Sequence, residues 1–165
     1  MEFYNQESNC VFCTSYALYK AQQKILYENE GAYAFLSYKP SNFGHSMIVV
    51  KPHIISLREL QSPAVNLFFN AIENTYYALK KIITESPQKI MNFYQNLLID
   101  PPEQESVECA QLQIKKGVPL TSPKGFNWGM NYGYKAGQRV AHLHIHLFPR
   151  YNGLGIATAM RKHLN

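Results

Sequence analysis

The sequence predicts an α+β fold: an antiparallel sheet of about five strands, a long helix packed on one face, and a short N-terminal helix. Three observations lead there. His142-Leu143-His144-Ile145-His146-Leu147 alternates histidine with aliphatic residues, the period of a half-buried strand. Upstream, Ile25–Glu28, Ala32–Leu36 and His45–Val50 have strand composition and are separated by turn residues. Between Ser62 and Ile83, the residues Val65, Leu67, Phe68, Ile72, Tyr76, Leu79 and Ile83 recur at helical spacing.

In chain order, a short helix is expected near Thr14 to Gln23, with Thr14 or Ser15 as its cap. Gly31 breaks the first two strands tightly enough for a hairpin. Lys39-Pro40-Ser41-Asn42-Phe43-Gly44 is turn chemistry, and Pro52 ends the third strand because it cannot donate to a ladder. Ser62 reads as the cap of the long helix, with Pro63 at its first position. A second helical piece runs from Pro87 to Leu98 and stops at Pro101-Pro102. From Asp100 to Gly125 the chain is polar with little periodicity, and reads as a loop with one short strand at Gln111–Ile114. Phe126–Asn131 is the fourth strand, and the turn at Tyr132–Gly137 leads into the fifth.

Alternation puts His142, His144 and His146 on one face and Leu143, Ile145 and Leu147 on the other. A polar strand face accounts for one histidine; three of the chain's six in five positions point to a site. The composition is that of a globular protein, 46% hydrophobic and 16% charged, which argues against disorder. The formal charge of +5 suits an anionic partner. Basic residues cluster only as pairs (Lys80-Lys81, Lys115-Lys116, Arg161-Lys162), so no nucleic-acid groove is evident and a phosphorylated small molecule fits better. Met1–Glu7 shows no secretory signal and no run spans a bilayer, so the expectation is a cytoplasmic protein that does not enter a membrane.

Three cysteines do not make a disulfide framework. Cys10-x-x-Cys13 supplies half of a tetrahedral zinc site that two histidines would complete. A redox pair and two buried thiols are the other readings of that spacing. Cys109 has no evident partner.

Gly44-His45, Pro52-His53, Asn131-x-Gly133, Ala136-Gly137-Gln138 and His142-x-His144-x-His146 with Pro149-Arg150 together resemble the histidine triad (HIT) family of nucleotide hydrolases and transferases. The resemblance runs from Cys10 to Arg150, apart from an inserted excursion at about 84–125 in an otherwise single HIT-like domain. It implies that His144 attacks an α-phosphate and that His146 contacts the phosphate or protonates the leaving group. Backbone amides of the Gly137-Gln138-Arg139-Val140 turn could bind an anion, with the Gln138 side chain orienting the leaving group or attacking water. His45 would support the site or touch the leaving group. The resemblance further places a base against Phe12, Phe35 and Leu36, the ribose at Ser37, and ribose or phosphate at Asn131. It implies structural zinc on Cys10, Cys13, His53 and His142, and pairing as a homodimer.

Two positions depart from the family pattern. Ser37 stands where Asp or Asn is usual, which weakens the ribose contact. Arg139 stands where Ser or Thr is usual and brings a permanent charge with a bidentate phosphate fork. A leaving group with extra phosphates, as in a dinucleoside polyphosphate, would profit. Besides the enzyme, the residues leave open a slow or inactive nucleotide-binding regulatory protein, and a structural zinc protein without a nucleotide site.

Overall fold

The computed structural model describes residues 8–152, so Met1–Glu7 and the Arg161-Lys162 pair lie outside the described residues. The elements are α1 (Val11–Ala21), β1 (Ile25–Glu28), β2 (Ala32–Leu36), β3 (Ser46–Val50), α2 (Ala64–Glu85), α3 (Gln88–Ile99), α4 (Gln104–Lys116), β4 (Gly125–Gly129) and β5 (His144–Arg150). The five strands form one antiparallel sheet in the order β1-β2-β3-β5-β4. The expected α+β class and the helix-on-sheet layering are both present.

Strand alternation sorts side chains onto two faces. Ala32, Ala34, Leu36, Ile48, Val50, Leu143, Ile145 and Leu147 join Phe68, Ile72, Leu79 and Ile83 of α2 in the larger core. Burying each such Leu, Ile or Phe side chain contributes about 1.5–3 kcal/mol, which anchors the strand that carries the histidines. Tyr33, Phe35 and Val49 point to the opposite face, where Phe12, Cys13 and Tyr19 of α1 pack on them. The Tyr33 hydroxyl donates to the Phe12 carbonyl at 2.7 Å and so pins α1 to the sheet.

Four local expectations need correction. Helix α1 begins at Val11 with Cys10 at its cap position, and the Thr14 hydroxyl bonds back to the Cys10 and Val11 carbonyls instead of capping. Ser62 does not cap α2: its first amides meet the carbonyls of Gln61 and Pro63. Gln111–Ile114 is no strand, because the polar segment folds as α4 and buries Ser106, Ala110 and Gln113 on one face. The β5 ladder starts at His144, since Leu143 turns its amide to the Ile54 carbonyl just beyond β3.

Helices α3 and α4 brace the turn before β3. Tyr94 of α3 accepts the Gly44 amide at its hydroxyl (2.9 Å), and the Gln113 side chain of α4 donates to the Pro40 carbonyl (3.2 Å), both buried. Gly44 has φ +80°, and a Cβ there would lie 3.2–3.3 Å from Ile83 and Pro149. Glycine is required at that point for both reasons. Among the described residues, no helix is long and apolar enough to cross a membrane.

Candidate functional site

Strand register brings the site together. His144 pairs with Val49 and His146 with Met47, while Val49 and Met47 in turn pair with Tyr33 and Phe35. The nucleophile candidate and the aromatic residues of β2 therefore share one face. Phe12 packs edge-on against His144 (5.1 Å between centroids), His142 (5.7 Å) and Phe35 (6.1 Å). His142, although it precedes the ladder, keeps its ring on that same side.

Four of the described histidines are held in definite tautomers by what they touch. His142 Nε2 lies 2.7 Å from the Val50 carbonyl and must donate to it, which leaves the Nδ1 lone pair facing the cysteines. His144 Nδ1 lies 2.7 Å from the His142 carbonyl and donates there, so its Nε2 lone pair is left for chemistry. The Ser41 amide donates to His45 Nδ1 at 3.2 Å, which puts the His45 proton on Nε2. That proton is donated to His146 Nδ1 at 3.1 Å, and the remaining proton of neutral His146 then sits on Nε2. One ring thus offers a lone pair and its neighbour offers a proton, with centroids 5.4 Å apart.

Burial keeps these rings uncharged. Desolvation, helped by the neighbouring His146, lowers the pKa of His45 to about 3. Desolvation and His144 lower that of His146 to about 4, and desolvation lowers that of His144. A folded pKa below the unfolded one means that the unfolded chain takes up more protons as pH falls through the interval between them, so stability is lost there. From pH 7 to 5, a shift of His45 from 6.5 to about 3 removes about 2 kcal/mol. The urea midpoint is expected to fall over that range, and the fall to be shallower in His45→Gln; parallel pH profiles would refute the assignment.

Cys10 Sγ lies 3.3 Å from His142 Nδ1, Cys13 Sγ 3.6 Å from the same atom, and Cys13 Sγ 3.3 Å from His53 Nδ1. One ligand atom from each of these four residues falls within 4.8 Å of the others. Donors around a tetrahedral zinc sit roughly 3.3–3.8 Å apart. The His142 tautomer presents a lone pair to the sulfurs, and its other nitrogen has the carbonyl partner that orients metal-bound histidines. The residues fit a metal. A disulfide would ask nothing of either histidine.

The loop before the triad is also braced. The Gln138 side chain accepts the Gly133 amide at 2.8 Å and donates to the Val140 carbonyl at 3.1 Å, while Asn131 donates to the Gly137 carbonyl at 3.4 Å. Gly137, with φ +91°, gives its amide to Tyr134, and the Gln138 amide goes to Gly133. Among the described residues, the Arg139 and Val140 amides make no such bond. The exposed Arg139 guanidinium stacks 5.7 Å over the Tyr134 ring. Its charge also lowers the pKa of Glu105 from α4, after the larger effect of Lys39. Lys39 binds Glu103 at 2.9 Å and Glu105 at 2.6 Å, so the start of α4 stands at the rim of the site.

Ser37 is buried, and its hydroxyl accepts the Lys39 amide at 3.2 Å. Leu36 belongs to the core on the α2 side of the sheet, although it also reaches a cavity at the β1–β2 corner. Sequence reasoning missed Ser41, the Val50 carbonyl and Tyr94, whose roles are set by contacts across the fold and leave no local pattern.

Comparison with known proteins points to one family. Residues 19–153 match the HIT domain. A HIT-like protein of Methanocaldococcus jannaschii is 27% identical over 88% of this chain and 82% of its own length. An adenylylsulfatase of Arabidopsis thaliana is 24% identical over 95% of this chain and 61% of its own. Among solved structures, a HIT family member from Bacillus subtilis superposes with a TM-score of 0.55 at 23% identity, covering 96% of this chain and 99% of that one; at that identity the likeness speaks for the fold.

Proposed function

The chain belongs to the HIT domain family, and on that premise we propose that it is a nucleotide hydrolase cleaving a nucleoside phosphate linkage at the α-phosphorus. One observation carries the reading: His144 is held with Nδ1 on a carbonyl, which leaves Nε2 as the nitrogen with a lone pair, 5.4 Å between ring centroids from a second histidine whose proton is left on Nε2. The Nε2 lone pair attacks phosphorus, a P–N bond forms, and the bond from phosphorus to the leaving group breaks. His146 Nε2–H hydrogen-bonds the leaving atom, which takes up its proton from solvent water, and His45 holds that ring in register. The amides of Arg139 and Val140 stabilise charge on the phosphate oxygens. Water then attacks phosphorus and releases a proton to solvent, replacing the one the leaving group took up; the P–N bond breaks, and a nucleoside monophosphate leaves with His144 restored.

Cys10, Cys13, His53 and His142 would hold zinc, which ties the start of α1 to the sheet beneath the nucleophile and supplies no reacting group. Phe12 and Phe35 support the nucleoside, and Ser37 lies beside its ribose. Incubation with a panel of adenylylated compounds, followed by analysis for AMP, tests the activity. AMP from at least one class supports the reading, and release from none rules out hydrolysis. Gln138 and Ser37 both turn their side chains to backbone partners, which favours the second reading of a slow nucleotide-binding regulator. Binding of AMP without turnover would select it.

Lys39 and Arg139 share the acidic start of α4, and a polyphosphate leaving group would displace those carboxylates. Arg139→Ser is therefore expected to lower kcat/KM for a diadenosine polyphosphate by about 5–30-fold, matching a charged hydrogen bond of 1–2 kcal/mol. Use of an adenosine phosphoramidate should barely change, and equal losses on both substrates would refute this role.

The outer edge of β4 pairs with no strand among the described residues, and Trp128 there packs on Phe69 of α2, the two 43% and 49% exposed. A second copy of the chain suits that edge, in the homodimer that the family likeness implies. Trp128→Glu is expected to shift the sedimenting species from dimer to monomer; a dimer of unchanged affinity would move the interface elsewhere.

A further inference from the structure

Two cavities, of about 530 and 220 Å³, adjoin at the β1–β2 corner and share Lys24, Tyr38, Phe93 and Asn96. The larger falls within the range of about 300–1,000 Å³ usual for small-molecule sites. Its inner wall includes Phe35, which lies in the same cross-strand row as Met47 and His146 and so about 10 Å across the sheet from that histidine. Leu36 and Tyr38, on either side of Ser37, both line it. Its outer wall is one face of α3, where Lys89, Asn92, Phe93 and Asn96 recur at helical spacing.

We infer that α3, from the excursion, closes the nucleobase pocket and that its Asn96 and Asn92 select the base, with adenine preferred; this rests on the nucleotide reading above. The chemistry of the lining supports it. Phe35, Tyr38 and Phe93 offer aromatic surface for a planar ring, with Tyr38 and Phe93 5.5 Å apart. Asn92, Asn96, Gln22 and Gln23 add carboxamides, each carrying a donor and an acceptor. A carboxamide matches the adjacent acceptor and donor on the N7 and N6 edge of adenine, whereas guanine shows two acceptors there. Asn92 already accepts from Gln88 at 2.8 Å within α3, which makes Asn96 the principal reader. Nothing in the hydrolytic chemistry requires this helix, so its contribution is to choice of substrate.

Calorimetric titration of the full chain with AMP, GMP, CMP and ribose 5-phosphate tests the assignment. Wild type should bind AMP at least fivefold more tightly than GMP or CMP. Asn96→Leu should weaken AMP about tenfold and leave ribose 5-phosphate unchanged, a pattern that a misfolded variant would not give. If AMP binds but both Asn96→Leu and Asn92→Leu keep its affinity and the AMP-to-GMP ratio, the inference falls and the nucleotide reading stands. If wild type binds none of the nucleotides, the nucleotide reading falls and takes the inference with it.

Discussion

His144→Ala is expected to lower turnover of the best adenylylated substrate by roughly 10⁴-fold or more, with AMP binding changed by less than about tenfold. The imbalance follows from what the ring does. Its Nδ1 bond to the His142 carbonyl fixes direction, while Nε2 is the atom that, in the proposed reaction, would bond to phosphorus. Removing the ring leaves Phe12 and Phe35 in place on the nucleoside side of the site, so affinity survives while covalent catalysis does not. His146→Ala should cost less, about 10²–10³-fold, because it removes a hydrogen-bond donor and not the nucleophile. The His146 loss should also shrink for substrates whose leaving group needs no proton. Single-turnover rates with each variant, beside equilibrium binding of AMP, separate the two roles.

The second large effect concerns the metal. Protein purified without chelators is expected to hold one zinc per chain, and Cys10→Ser to lose it with a fall in Tm of more than about 10 °C. Structural zinc sites carry apparent binding free energies of about 10–16 kcal/mol, and a 1 kcal/mol loss lowers Tm by about 2–4 °C in a domain of this size. Even a minor share of the site's energy therefore moves the transition well outside error. Cys10 and Cys13 flank Phe12, so loosening the site should also disturb the ring that packs on His144. Elemental analysis with thermal unfolding in the presence and absence of chelator checks both parts. Wild type holding less than a trace of zinc would remove the metal, and would leave the short sulfur–histidine contacts as plain packing.

Much of this was legible in the sequence because it was written in short-range pattern. The alternation around His144 gave both the strand and the face, and Leu143, Ile145 and Leu147 are indeed in the core. Helix α2 carried its apolar stripe openly. Helix α4 did not, for a physical reason: its buried positions Ser106, Ala110 and Gln113 are small or polar. A face that closes on other protein through such groups leaves no hydrophobic period to detect. The Cys10–Cys13 spacing was visible by itself, whereas its meeting with His53 and His142, which spans up to 132 residues, could be named only through the family resemblance and seen only in the fold. The Ser41–His45–His146 chain of hydrogen bonds likewise joins residues 101 apart at its second link. Residues that act through partners far along the chain are silent in a single sequence, whereas residues that act by their own periodicity are not.

The sharpest check is to quench a reaction within the first turnover and map phosphorus on the protein by mass spectrometry. A nucleoside monophosphate adduct on the peptide carrying His144, formed and lost at rates matching product release and missing from His144→Ala, is the result this account predicts. Full-rate product formation with no adduct, or an adduct on any other side chain, would contradict it.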